Sequence, residues 1–230
     1  MSIKDVVEIK KTCKEYQMGK MTITALRNVE LSISRGDFMV LAGPSGSGKT
    51  SLLNIIGLID KPTSGDLYFE GENITADSLN VLYRKRRDKI GYIFQTFNLI
   101  PVLNVFENVE YPLLLQKVSK LERHRRVSDV LSQVGLENRQ RHKPSELSGG
   151  QRQRVSIARA IVKDPDIVLA DEPTANLDSH TGMTIIELME QLNRDQGVTF
   201  VFSSHDPKII EKSRKVVILK DGEIEKIKKS

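Results

Sequence analysis

The chain has 230 residues, with 35 lysines and arginines against 30 aspartates and glutamates, and a single cysteine. At 39% hydrophobic residues its composition is that of an ordinary globular protein, and the lone Cys13 excludes both an internal disulfide and a cysteine-ligated zinc site. No apolar run approaches the roughly 18 residues that span a bilayer, and the start at Met1 has no secretory pattern. We therefore expect a cytoplasmic chain that does not itself cross a membrane.

The sequence predicts strands that alternate with helices along the chain. No linker, repeat or low-complexity tract divides this series, so we expect one domain. Apolar strands alternating with amphipathic helices are typical of a largely parallel sheet covered on both faces. Strand signals fade between residues 96 and 162, which predicts a helical insertion. The predicted elements are strands over 6–10, 22–34 and 38–42, a helix carrying Leu52, Leu53, Ile55 and Ile56, strands over 67–69 and 90–94, a helix over 121–134, a strand over 167–170, a helix over 179–192, a strand over 199–203, and two short strands around Asp221 and Gly222.

A glycine-rich run follows the apolar strand 38–42 and precedes the first helix. It fits G-x-x-x-x-G-K-[ST], in which inward-pointing backbone N–H groups and the positive end of a helix hold phosphate. We expect Lys49 to reach the β- and γ-phosphates of a nucleotide, and the Thr50 hydroxyl to bind Mg²⁺. The alternative is a flexible Gly/Ser loop. The predicted nucleotide-binding residues here are Gly43, Pro44, Ser45, Gly46, Ser47, Gly48, Lys49, Thr50 and Ser51.

Two adjacent carboxylates, Asp171 and Glu172, end the buried strand 167–170. In a parallel sheet this strand end lies at the same edge as the phosphate loop. Since neighbouring strand residues point to opposite sides, the two acids can take different tasks. We expect Asp171 to hold the Mg²⁺ shell and Glu172 to act as general base on the attacking water. Taken alone, the pair could also be a solvated acidic turn before Pro173.

A second glycine-rich helix start reads Leu-Ser-Gly-Gly-Gln over residues 147–151 and is followed by a basic helix. Ser148 can cap this helix, and the amides of Gly149 and Gly150 can hold a phosphate oxygen. With this motif intact, the chain resembles the ATP-binding cassette (ABC) ATPases over nearly its whole length. The resemblance implies a single nucleotide-binding domain with an α/β P-loop NTPase fold, a mostly parallel sheet and an N-terminal antiparallel β subdomain. It places the core at about 1–95 and 163–230 and an inserted helical subdomain at about 96–162.

Further residues match the motifs of this family. Gln95 matches the glutamine that touches Mg²⁺ and the attacking water, and His205 matches the switch histidine that contacts the γ-phosphate. Asp178 belongs to the D-loop, which packs across a dimer interface, and Tyr16 stands where an aromatic residue stacks on adenine. Without the resemblance these residues would be an ordinary loop glutamine, a surface or core histidine, a turn acid and a strand-edge tyrosine.

The chain holds one P-loop and one LSGGQ motif, separated by the predicted insertion, so two copies are needed to complete a site. In ABC ATPases a head-to-tail dimer sandwiches each ATP between the P-loop of one subunit and the signature motif of the other. The resemblance thus implies ATP and Mg²⁺ as cofactors and ATP hydrolysis as the reaction. It assigns catalysis to Glu172, His205, Gln95 and Lys49, metal binding to Thr50, Gln95 and Asp171, and contacts across the dimer to Ser148, Gly149, Gly150, Gln151 and Asp178.

The segment that begins at Thr96 and ends at Val109 is unusually apolar for a loop beside phosphate chemistry. It predicts either a partner groove or helical-subdomain core. In ABC transporters this region accepts a coupling helix from the membrane subunit, and the local sequence looks most like the lipoprotein-release, macrolide-efflux and cell-division branch. The resemblance implies a peripheral subunit on the inner face of the cell membrane that drives a separate permease, for export or for lipoprotein or lipid extraction.

Two other functions remain open on the sequence. One is an ABC ATPase of a non-transport membrane complex of the cell-division type, and the other is a soluble ABC ATPase acting on nucleic acid or ribosomes. Relatives of the second kind typically carry a long coiled coil or two cassettes, and neither pattern is present. We therefore expect no nucleic-acid partner, and the basic runs, such as Arg123 to Arg126, suit an anionic membrane surface instead.

Overall fold

The computed structural model describes residues 5–229, apart from the side chain of Lys212. The elements of this part of the chain are β1 (Asp5–Met18), β2 (Met21–Ser34), β3 (Phe38–Ala42), α1 (Lys49–Ile56), β4 (Ser64–Phe69), β5 (Glu72–Asn73), α2 (Leu79–Lys89), β6 (Ile90–Ile93), α3 (Val105–Leu115), α4 (Lys120–Gln133), α5 (Gly149–Ile161), β7 (Ile167–Ala170), α6 (Ser179–Gln196), β8 (Phe200–Ser203), α7 (Pro207–Lys212), β9 (Lys215–Lys220) and β10 (Glu223–Lys229).

A six-stranded sheet of order β10-β9-β3-β8-β7-β6 forms the centre of the molecule. The pairs β9/β3, β3/β8, β8/β7 and β7/β6 are parallel, and β10 is antiparallel at one edge. Every residue of β3, β7 and β8 is buried, as an apolar strand covered on both faces requires. The predicted mostly parallel sheet is confirmed, and its order brings the carboxyl ends of β3, β8, β7 and β6 side by side.

Alternate residues of the central strands enter two different apolar cores. Met39 and Leu41 of β3 pack with α1 and the amino-terminal strands, whereas Val40 packs with α3, α4, α5 and α6. This division follows from the two-residue repeat of a β-strand, which sends successive side chains to opposite faces. The sheet is therefore covered on both faces, by a β-rich layer on one face and a helical layer on the other.

The β-rich layer is a four-stranded antiparallel sheet of order β2-β1-β4-β5, so the expected antiparallel β subdomain is confirmed. Its long hairpin pairs β1 with β2 from Asp5 opposite Ser34 to Met18 opposite Met21. The sequence predicts only residues 6–10 of β1, because the rest of the strand is mostly polar. In the structure β1 pairs with β2 as far as Met18, and in this polar part Thr12 and Lys14 are buried.

The helical layer contains α3, α4 and α5, which lie between β6 and β7 with two 3-10 turns (Glu137–Arg139 and Pro144–Glu146). The helix predicted over 121–134 corresponds to α4, which begins after Ser119, whose side chain accepts a hydrogen bond from the Glu122 amide. The insertion is therefore helical, as expected. No helix within residues 5–229 combines the length and the apolar character that crossing a membrane requires.

The elements β5, α2 and α7 are present in the structure but were not predicted, and α3 was predicted only as part of the helical insertion. In α2 only Leu82 is buried, so the helix has no apolar periodicity that a pattern could reveal. Helix α6 continues to Gln196, past the predicted end at residue 192, and stops where Gly197 adopts a left-handed conformation with φ 70°, a common helix ending.

Candidate active site

A cavity of about 720 Å³ opens at the edge where the parallel strands end. The loops after β3, β6, β7 and β8 all contribute to it, so residues far apart in sequence meet there, as is general for sites on parallel sheets. Ser47 of the P-loop is buried and is not part of its lining. The lining residues are Ile23, Thr24, Ala25, Gly43, Pro44, Ser45, Gly46, Gly48, Lys49, Thr50, Ser51, Gln95, Asp171, Glu172 and His205.

The P-loop needs glycine where its backbone turns into α1. Gly48 has φ 103°, a region that side chains disfavour. A Cβ atom there would lie 2.7 Å from the carbonyl oxygen of Ala25. Only glycine therefore lets this loop approach β2 and present its amides to the cavity.

Lys49, the first residue of α1, curls back into the P-loop. Its Nζ donates to the carbonyl oxygens of Gly43 and Pro44, each at 2.8 Å, and the residue is only 8% exposed. The loop thus surrounds an ammonium group at the positive end of a helix, an arrangement that attracts a polyanion.

Asp171 lies between two hydroxyl groups. Thr50 Oγ1 donates to its Oδ2 at 3.3 Å and Ser203 Oγ donates to its Oδ1 at 2.7 Å. A hydroxyl and a carboxylate oxygen are the hard ligands that Mg²⁺ prefers, and the Gln95 side chain lines the same cavity. The three residues expected to hold Mg²⁺ are therefore brought together, and their donor set fits that ion.

Glu172 and His205 lie in contact at the same edge of the sheet. His205 Nδ1 is 3.1 Å from Glu172 Oε1. The His205 side chain is 69% exposed and the Glu172 side chain is 27% exposed. The Glu172 backbone is left-handed, with φ 45°. A carboxylate open to the cavity and next to an imidazole is suited to accept a proton from a water molecule.

The loop after this acidic pair touches the loop after β6. Asn176 Nδ2 donates to the carbonyl oxygen of Gln95 at 2.8 Å. Asp178 caps α6 and accepts from the Thr181 amide at 3.0 Å, and hydrogen bonds from Thr181 hold the pKa of the Asp178 carboxyl below its usual value. Asp178 does not line the cavity of its own chain.

The Leu-Ser-Gly-Gly-Gln motif forms the start of α5, away from this cavity. Ser148 Oγ accepts from the Gln151 amide at 3.3 Å while Gln151 Oε1 accepts from the Ser148 amide at 3.0 Å, a capping box. A Cβ on Gly150 would lie 2.6 Å from Thr181 Cγ2, so the motif packs closely against the first turn of α6. Ser148, Gly149, Gly150 and Gln151 are all absent from the cavity lining.

On the side of the β1–β2 hairpin, the cavity wall is not formed by Tyr16, the aromatic residue expected to stack on adenine. Tyr16 is not among its lining residues, and the wall there is Ile23, Thr24 and Ala25 of β2. Tyr16 is the cross-strand partner of Ile23, and its ring lies 4.8 Å from Lys14 Nζ. The role of Tyr16 stays a prediction. Sequence reasoning missed the β2 residues because only the pairing register of the hairpin reveals them.

The segment that begins at Thr96 divides into core and surface. Val105, Asn108 and Val109 are buried in α3, which agrees with the core interpretation. Val102 by contrast is 74% exposed, and Asn98 lines a second cavity of about 290 Å³. The core interpretation therefore applies to part of the segment, and for its exposed part the partner groove stays a prediction.

This second cavity, named the α2–α3–α5 groove here, has aromatic walls and several cations, and the sequence did not reveal it. Burial lowers the pKa of Lys163 to about 8. Arg159 donates to the carbonyl oxygens of Phe97 (2.8 Å) and Asn98 (2.6 Å), which ties α5 to the loop after Gln95. The lining residues are Tyr83, Arg86, Arg87, Ile90, Tyr92, Phe94, Asn98, Tyr111, Pro112, Leu115, Arg159, Ala160 and Lys163.

A phosphate loop between a strand and a helix, with an acidic pair at the end of a nearby parallel strand, defines a P-loop nucleoside triphosphatase. Residues 26–175 match the family model described as ABC transporter. The chain therefore belongs to the ABC transporter family, as an ATP-binding and ATP-hydrolysing subunit.

Relatives and solved structures agree with this assignment. The chain is 47% identical over 230 residues to the uncharacterized ABC transporter ATP-binding protein MJ0796 of Methanocaldococcus jannaschii, covering 97% of each. It is 44% identical to the macrolide export ATP-binding/permease protein MacB of Escherichia coli, covering 96% of this chain and 34% of MacB, about a third of that protein. A dimeric post-hydrolysis structure of MJ0796 bound to ADP and Pi matches with a TM-score of 0.87 and 46% identity, covering 97% of this chain and 98% of the other.

Proposed function

We propose that the cavity at the sheet edge binds ATP with Mg²⁺, that two copies of the chain close head to tail on two ATP molecules, and that hydrolysis separates them. The observation that carries this proposal is the meeting of Lys49, Thr50, Gln95, Asp171, Glu172 and His205 at one cavity. The carboxyl ends of four parallel strands supply these groups, and each has a chemistry that triphosphate hydrolysis needs.

Each side chain has a proposed task. Lys49 and the P-loop amides hold the β- and γ-phosphates, and Thr50, Asp171 and Gln95 hold Mg²⁺, directly or through water. When bound, Mg²⁺ neutralises charge on the phosphate oxygens. Glu172 accepts the proton of the water that attacks the γ-phosphorus as ADP leaves, and His205 contacts the γ-phosphate while it orients Glu172.

The second half of each site comes from the partner copy in this proposal. Ser148, Gly149, Gly150 and Gln151 would face the ATP held by the partner's P-loop, with Asp178 near the same interface. Two facts support this: these residues lie outside the cavity of their own chain, and MJ0796 forms dimers, one of them with ADP and Pi bound. The domain then divides into a core of about 1–95 and 163–230 and a helical subdomain of about 96–162.

We also propose that ATP hydrolysis by this chain drives a separate membrane permease. The chain would lie peripherally on the inner face of the cell membrane, and the complex would carry out export or lipid extraction. The similarity to MacB, a macrolide export ATP-binding/permease protein, supports a role in export. Two thirds of the length of MacB lies outside the part that is similar to this chain. The permease would dock on the surface part of residues 96–109 and in the adjoining α2–α3–α5 groove. The cations of that groove favour a segment that offers apolar and acidic side chains.

Glu172→Gln tests the catalytic proposal. The amide keeps the shape of the carboxylate but cannot accept the proton of the attacking water, so turnover should fall by about 10²–10⁴-fold while ATP binding stays near the wild-type level. ATP should then accumulate a dimer on gel filtration, because hydrolysis no longer separates the copies. Glu190→Gln, on α6, is the matched control and should turn over normally. Normal turnover of Glu172→Gln, or an ATP-bound species that stays monomeric, would contradict the proposal.

A further inference from the structure

Ser203, the last residue of β8, lies between the two acids of the site. Its hydroxyl donates to Asp171 Oδ1 at 2.7 Å and accepts from the Glu172 backbone amide at 2.8 Å. The residue has no exposed surface. One buried hydroxyl therefore serves one acid as a donor and the next as an acceptor, which uses its single proton and one of its lone pairs.

The sheet register explains why these three residues meet. Ala170 of β7 is the direct partner of Phe202 of β8 in a parallel pair. The residues that follow, Asp171 and Ser203, consequently leave the sheet edge side by side. Because Ser203 is buried, no solvent is at hand to replace its hydroxyl, and its removal would leave a carboxylate oxygen and an amide without this partner.

Each of the two hydrogen bonds fixes a different part of the site. With Oδ1 of Asp171 held by Ser203, Oδ2 is the oxygen that meets Thr50 Oγ1 at 3.3 Å. On the other side, Glu172 has a left-handed backbone, with φ 45°, which is uncommon for a residue with a side chain. Its amide is held by Ser203, and its carbonyl oxygen accepts from the Ala175 amide at 3.1 Å.

We propose that Ser203 is a positioning residue for both acids: it aims Asp171 at the Thr50 side of the site, where Mg²⁺ is expected, and holds the backbone turn that presents Glu172 to water. The inference rests on the roles proposed above for Asp171 and Glu172. Ser203 does not line the cavity, so it acts through these two residues and not on the nucleotide.

The test compares Ser203→Ala, which removes the hydroxyl, with Ser203→Thr, which keeps it. Thr199→Val is the matched control, because Thr199 is a buried hydroxyl residue just before β8 whose Oγ1 accepts from the Gly36 amide at 3.0 Å, at the opposite end of the strand. For each variant kcat, KM, melting temperature and ATP affinity are measured, the affinity by displacement of a fluorescent nucleotide with Mg²⁺ and with EDTA.

For Ser203→Ala we expect kcat to fall about tenfold, as for the loss of one hydrogen bond to a charged group. The gain in ATP affinity that Mg²⁺ provides should shrink several-fold, while the affinity in EDTA stays near the wild-type level because the P-loop is untouched. Ser203→Thr should resemble the wild type in both respects. Thr199→Val should lower only the melting temperature.

Two outcomes would overturn the inference. One is a Ser203→Ala variant with unchanged kcat and unchanged Mg²⁺ effect, and the other is equal losses in Ser203→Ala and Ser203→Thr. Glu172→Gln, assayed alongside, separates this failure from failure of the proposed function. If Glu172→Gln loses turnover and Ser203→Ala keeps the wild-type kcat and Mg²⁺ effect, the positioning role alone is wrong; if Glu172→Gln turns over normally, the assignment of the acids is wrong.

Discussion

At the scale of single residues, the ammonium group of Lys49 shows how the site prepares for its ligand. It is folded into the P-loop by two hydrogen bonds of 2.8 Å to backbone carbonyl oxygens. A phosphate entering the loop would exchange these bonds, whose acceptors are neutral carbonyl oxygens, for contacts in which donor and acceptor carry opposite charges. The lysine needs no long movement for this exchange, so part of the ordering cost of binding is met before ATP arrives.

Lys49→Ala should weaken ATP binding by about 10- to 100-fold, the loss expected for hydrogen bonds to charged groups. Titration calorimetry of the purified chain with ATP measures the change. Lys120→Ala is a suitable control because that lysine is exposed at the start of α4, and its ATP affinity should match the wild type. An unaltered affinity in Lys49→Ala would show that the P-loop lysine does not contact the phosphates.

At the scale of elements, the local sequence predicts the individual motifs of the site better than it predicts the strand order that brings them together. The P-loop and the acidic pair are contiguous motifs beside fully apolar strands, so they can be recognised without the fold. The strand order β3-β8-β7-β6, which unites them, depends on pairings between distant segments, as does the β2 wall of the cavity. Ser203 escaped notice for the same reason, because an isolated serine at a strand end has no distinctive pattern.

The α2–α3–α5 groove is a second property of packed elements. Its aromatic residues are Tyr83 of α2, Tyr111 of α3, Tyr92 of β6 and Phe94 just after β6. Tyr92 and Phe94 stack with ring centroids 5.6 Å apart. Arg159 joins the groove to the loop just after Gln95 through the carbonyl oxygens of Phe97 and Asn98. An occupant of the groove would thus contact a residue bonded to the chain two and three positions after Gln95, and we predict that docking there responds to the state of the nucleotide.

Tyr111→Ala tests this groove as the docking surface. Tyr111 is a rim residue of α3 and is 42% exposed, so its removal should reduce, by about tenfold or more for an aromatic hot spot, the amount of a multi-span protein that co-purifies from solubilised membranes. Leu121→Ala is the control, since Leu121 is 85% exposed on α4 and does not line the groove. Equal recovery with both variants, or recovery of ribosomes or DNA instead, would contradict the docking proposal.

At the scale of the whole molecule, the excess of basic residues is less available to partners than the sequence implies. In the run from Arg123 to Arg126, the three arginines pair with acids of the same helical layer at 2.7–3.0 Å. Arg125 and Arg126 hold the pKa of Glu122 at about 2. This run therefore offers little free positive charge to a membrane surface, and the proposed docking near the membrane would depend on the permease and on other basic residues.

The head-to-tail dimer predicts complementation between two inactive variants. Lys49→Ala damages the P-loop, and Ser148→Asp keeps a good helix cap but sets a negative charge where the partner's phosphate would lie. Each variant alone should hydrolyse ATP poorly. A heterodimer has one intact site, formed by the P-loop of the Ser148→Asp copy and the signature motif of the Lys49→Ala copy, so an equal mixture with random pairing should recover about a quarter of wild-type activity.

A steady-state ATPase assay on mixtures of fixed total concentration measures this recovery. The control mixture pairs Lys49→Ala with the double variant Lys49→Ala/Ser148→Asp, in which neither copy has a working P-loop, and it should stay inactive. Activity in the first mixture that only equals the average of the separate variants would contradict the shared site, because each copy would then hydrolyse ATP by itself. Recovery in the first mixture but not in the control requires that the P-loop and the signature motif act on one ATP from different chains.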